Sequence, residues 1–70
     1  MSQLLPHQLR VLTERLDLND KITALAAFLD RIDTVVGVPE DEQLRLTRQL
    51  AAMEEYSGIL AERIEHFSNP

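Results

Sequence analysis

The stretch Asp33–Gln43 reads "DTVVGVPEDEQ" and contains the one clear break in the chain. Gly37 and Pro39 fall within it, and three acidic residues follow. Proline suits the first turn of a helix, where a missing N–H costs little. Glu40, Asp41 and Glu42 place negative charge at the positive end of the helix dipole. This pattern predicts that one helix ends before the stretch and another begins at its end. Residues 1–70 therefore read as one helical-hairpin domain, with a helix over about 5–34, a loop over 35–38 and a helix over about 39–67. No segment alternates with period two, so no strand is expected. The fold class is all-α.

The second helix is strongly patterned. Leu46, Leu50, Met53, Leu60, Ile64 and Phe67 follow a four–three spacing, with Ser57 in the one polar slot. That is a coiled-coil-like seam. Leu44, Tyr56 and Ile59 lie off the seam and widen the apolar surface. Gly58 interrupts a helical pattern and costs about 1 kcal/mol relative to alanine.

The first helix carries two rhythms. Leu5, Leu9, Leu12 and Leu16 step by four, three and four, and the continuation meets Asn19, Thr23 and Ala26. A second rhythm, which includes Val11, runs through Leu18, Ile22, Leu25, Leu29, Ile32 and Val36. The two differ by one residue, about 100° around the helix. Either the helix kinks near Asp17–Asp20 or it shows apolar stripes on two faces. A two-helix hairpin covers one of them, so the other requires further chains, and a homo-oligomer is expected. A helix of about 30 residues is about 45 Å long, too long for a compact monomer of this mass.

Composition narrows the functional classes. Seventy residues make one domain at most, and chains this small usually gain support from disulfides, metals or oligomerisation. The sequence has no cysteine, and His7 and His66 lie at opposite ends, so neither a disulfide nor a zinc site is expected and no cofactor is implied. The net charge of -5 argues against a DNA or RNA duplex or an anionic membrane as partner. Neither a membrane-length apolar run nor a signal-peptide core is present, so a soluble intracellular protein is expected. No phosphate loop, HExxH or nucleophile elbow occurs, and the paired carboxylates read as solvated helix surface. An enzyme is not expected.

The polar residues inside the first stripe are the candidate site. Asn19 and Thr23 either face water or form a polar notch in an oligomeric interface. Lys21, the only lysine, either pairs with Asp17 four residues earlier or serves a ligand. Arg63 either pairs at the surface with Glu62 or Glu65 or presents a guanidinium suited to phosphate. His7 offers a flat ring at the start of the chain.

The ordered set "HQLRV", "DKITALAAFL", "PEDEQ" and "QLAAMEEYSGILAERI" resembles the small phage anti-CBASS proteins that act as cyclic-oligonucleotide sponges. The resemblance covers roughly residues 5–67. It implies a homohexamer of helical hairpins with a kinked first helix, working in the cytoplasm of an infected bacterium. Such proteins sequester second messengers of CD-NTase enzymes without cleaving them. They hold cyclic dinucleotides, such as cyclic GMP–AMP, between two protomers, and some hold cyclic trinucleotides near a three-fold axis. By this resemblance Lys21 contacts a dinucleotide's phosphates, while Thr23 and Arg63 belong to the trinucleotide pocket. The family's stacking aromatic near the start of the first helix has no counterpart in "LLPHQLR"; His7 is the nearest candidate. A different class of function stays open: a helical bundle that binds another protein through its exposed apolar face. A small RNA-binding bundle is a third, disfavoured by the acidic composition.

Overall fold

A computed structural model describes residues 4–68 and is all-helical. Helix α1 spans Pro6–Asp30 and helix α2 spans Glu40–Glu65, with short 3₁₀ turns at Ile32–Thr34 and His66–Ser68. Leu5 is extended at the N-cap of α1 (ψ 155°), as the residue before a proline prefers. Gln8 Oε1 accepts the Leu5 N–H at 2.8 Å, the return arm of a capping box.

The α1 helix stops at Asp30, short of the expected residue 34. Ile32 and Val36 continue the apolar rhythm, but together with Thr34 and Val35 they bring β-branched side chains that crowd a helical turn. The chain tightens instead into the 3₁₀ turn, where Thr34 Oγ1 donates to the Arg31 carbonyl at 2.7 Å. Val36, the last residue of the second rhythm, is 98% exposed. Gly37 then takes φ +91°, a left-handed conformation that suits glycine. Pro39 sits at the N-cap of α2, one residue before its expected place, and its carbonyl accepts the Gln43 N–H at 3.0 Å. Arg45 ties the acidic first turn together, at 2.9 Å from Glu42 and 3.3 Å from Asp41.

The α2 seam is where its spacing puts it. Ser57 and Leu60 are buried, and Leu46, Leu50, Met53, Ile64 and Phe67 are half-buried. On α1 the second rhythm faces inward: Val11 and Leu18 are buried and Ile22 packs against them. The α-helix is continuous through Asp17–Asp20, and apolar stripes lie on two faces. Leu5, Leu9 and Leu16 of the first rhythm are 54%, 51% and 67% exposed.

The hairpin is a rod of 52 × 15 × 15 Å. Its radius of gyration is 16.1 Å, against about 11 Å for a compact domain of this length. Its accessible surface is 5640 Å², against about 4,450 Å² for a compact monomer of this mass. The excess, about 1,200 Å², exceeds the roughly 800 Å² that one partner buries in a standard interface.

Candidate functional site

The register of the hairpin is fixed by a polar contact in the seam. Ser57 Oγ donates to Asn19 Oδ1 at 2.6 Å, and Arg15 Nε donates to the Ser57 carbonyl at 3.2 Å. Asn19 therefore neither faces only water nor stands empty in a second interface: its side chain closes a bond across the hairpin. Residues whose numbers sum to about 76 lie at the same level on the two helices. A cleft of about 210 Å³ adjoins the pair, lined by Leu12, Arg15, Leu16, Asn19 and Ile64. It is smaller than the roughly 300 Å³ at which ligand pockets begin.

This register sorts the surface into two broad faces. A residue just before a seam position points about 100° to one side of it, and a residue just after points to the other. The two helices run antiparallel and face each other, so the preceding residues of both share one face. That face carries Arg10, Lys21, Arg31, Arg45 and Arg63, five of the chain's seven cations, and both histidines. It carries only Glu14, Asp17 and Glu42 of the twelve carboxylates. Phe28 and Tyr56 lie on it too, with the Arg31 guanidinium 5.9 Å from the centre of the Phe28 ring. The opposite face carries Leu5, Leu9, Leu16 and Leu44, with Arg15 of the seam lining the cleft beside Leu12 and Leu16. An acidic protein thus has one cationic face and one leucine face.

The candidate residues fall as follows. Lys21 and Arg63 are exposed on the cationic face, and His7 joins them in the first turn of α1. Thr23 is exposed on the leucine face, where its hydroxyl donates to the Asn19 carbonyl at 3.0 Å. Among the described residues Arg45 makes the only ion pairs. The Asp17–Lys21 pair and the Arg63 pairs with Glu62 or Glu65 are therefore not formed. Lys21 and Arg63 make no ion pair with another described residue.

One chain does not assemble a pocket from these residues. His7 and Lys21 are fourteen residues apart on one helix, about 21 Å along its axis. Thr23 lies level with residue 53, so Arg63 is about 15 Å further along and on the other face. The hollow beside Arg63 is lined by Ile59, Glu62, Arg63 and His66, all from α2. It is a dimple on one helix. His66 Nδ1 donates to the Glu62 carbonyl at 2.8 Å, which fixes that ring against its own helix.

A family model described as Sequestin matches residues 5–66. The chain belongs to the Sequestin family. The match spans both helices and every candidate residue, and the family name supports a sequestering function. No curated protein and no solved structure matches the chain. Cations and aromatic rings on one side suit an anionic ligand with planar groups. Leucines on the other suit helix packing. Among the described residues no cluster of three or more histidines and carboxylates is placed to hold a metal ion, and no helix is long and apolar enough to cross a membrane.

Sequence reasoning missed two features. The Asn19–Ser57 bond joins the polar slot of the α2 seam to the first of the two polar positions that continue the first stripe of α1, and the midpoint of their numbers, 38, falls in the loop. In the sequence Tyr56 reads only as added apolar surface, although it shares a face with five cations.

Proposed function

We propose that this sequestin binds and holds cyclic oligonucleotide second messengers without cleaving them. It acts as a homo-oligomer, with the hexamer as the expected form, in the cytoplasm of a phage-infected bacterium, and so silences CBASS effectors. The observation that carries the reading is the gathering of five cations and two aromatic rings on one face of a chain whose net charge is -5. A cyclic dinucleotide presents two phosphates and two bases, and a cyclic trinucleotide presents three of each. Symmetry multiplies sparse cations: a two-fold pocket receives two copies of Lys21, and a three-fold pocket receives three of Arg63. The distances along the rod support pockets shared between chains. Lys21 and His7 serve the dinucleotide, and Thr23 and Arg63 the trinucleotide.

The exposed leucine face also favours a second reading, an interaction protein that docks another protein there. Mass and ligand binding separate the two. A stable monomer that ignores cyclic nucleotides supports the second. For the first, Lys21→Glu weakens cyclic dinucleotide binding, while Arg63→Ala or Thr23→Tyr weakens cyclic trinucleotide binding. All three variants keep parental helical content and mass. Unchanged affinity in all three, measured by calorimetry, removes these residues from the site.

A further inference from the structure

We propose that Tyr56 is the base-stacking residue of the sequestering site, set across the helix pair from Lys21. A ligand that carries a planar base and a phosphate lays its base on the Tyr56 ring and its phosphate at the Lys21 ammonium. The inference rests on the sequestering reading and goes beyond it by naming the platform.

The register places Lys21 and Tyr56 opposite each other. Their numbers sum to 77, beside the Asn19–Ser57 bond that sums to 76. Both immediately precede seam positions, so both flank the seam on the cationic face. Packed helix axes lie about 8–10 Å apart, a separation that a nucleotide bridges. Both residues stand in the middle of regular helix, which holds them more firmly than a loop does. Tyr56 remains 42% exposed in the hairpin although its ring is among the largest apolar groups in the chain.

The neighbours leave the ring accessible. A helical side chain leans over the turn before it, which for Tyr56 is the turn of Ala52. Ala24 lies level with Ala52 on α1. Two methyl groups thus floor the surface beside the ring, and no long side chain springs from there to cover it. Stacking tolerates any base, because every base has a π-face.

The test uses an intrinsic probe. Tyr56 is the only tyrosine and the chain has no tryptophan, so its emission reports one residue. Cyclic GMP–AMP and cyclic triadenylate are titrated into the full-length oligomer, read by fluorescence corrected for absorption and by calorimetry. Ligand is expected to quench the emission as binding saturates. Tyr56→Phe retains affinity, and Tyr56→Ala loses about 5- to 150-fold, the equivalent of one lost stack. Circular dichroism and mass confirm that the variants fold and assemble. Parental affinity in Tyr56→Ala, or binding heat without any change in parental emission, overturns the stacking role and leaves the sequestering reading standing. Absence of binding heat with every nucleotide overturns that reading and the inference with it. Emission that changes on oligomer assembly and then ignores ligand assigns Tyr56 to chain packing and overturns the proposal.

Discussion

Truncating Leu16 to alanine separates assembly from folding. Leu16 is 67% exposed in the hairpin, so the fold loses little when its side chain is shortened. If the leucine face packs on another copy, that exposed portion is what assembly covers. Full burial of a leucine is worth about 1.5–3 kcal/mol, and two-thirds of it is about 1–2 kcal/mol per chain. Association then weakens by about 5- to 30-fold per chain. Leu60→Ala is the matching control: Leu60 is 0% exposed, and such a truncation costs about 2–5 kcal/mol of folding stability. Sedimentation velocity over a concentration series reads the assembly, and far-ultraviolet circular dichroism reads the helices. Leu16→Ala is expected to keep its helices and dissociate at higher concentration than the parent. Leu60→Ala is expected to lose its helices. Dissociation of Leu16→Ala at the parental concentration refutes the assignment of the leucine face to assembly, and so does loss of helix equal to that of Leu60→Ala.

Two further substitutions probe the hairpin itself. Ser57→Ala strands the Asn19 side chain beside the seam and is expected to lower stability by about 1–2 kcal/mol, while Asn19→Leu with Ser57→Ala recovers most of that loss, because removing both partners leaves no unpaired polar group; a double-mutant cycle by thermal denaturation checks it, and additive losses contradict it. Gly58 lies in open space, with no atom within 4 Å of an added Cβ, so Gly58→Ala is expected to raise hairpin stability by about 1 kcal/mol; a lower melting temperature in the assembled protein places another chain against Gly58.

The two helices differ in how far their sequences disclose them. In α2 the four–three spacing runs unbroken from Leu46 to Phe67, and each seam residue is where the spacing puts it. Such a pattern fixes which side of the helix is buried. In α1 two stripes compete, and local sequence does not say which one meets α2. The partner decides: Val11, Leu18 and Ile22 pack against Leu60, Met53 and Ile64, and the leucines of the other stripe stay outside. The end of α1 was hidden for a related reason. Ile32 and Val36 continue the apolar rhythm, but rhythm reports burial, whereas crowding at β-branched residues ends the helix.

The candidate site was legible only residue by residue. Lys21 invites comparison with Asp17 because helical neighbours four apart are visible in sequence. Its relation to Tyr56 needs the register between helices, which the Asn19–Ser57 contact supplies. The same register shows that Thr23 and Arg63 lie on opposite faces. The trinucleotide pocket proposed for the two therefore requires contacts between chains.

The central claim, sequestration without cleavage, is tested most directly by what the protein returns. The assembled oligomer is titrated with cyclic GMP–AMP and cyclic triadenylate by calorimetry, then denatured, and the released nucleotide is analysed by chromatography and mass spectrometry. Saturable binding followed by recovery of intact cyclic ligand is the predicted result. Failure of the assembled protein to bind either nucleotide, or recovery of linear product, contradicts the account.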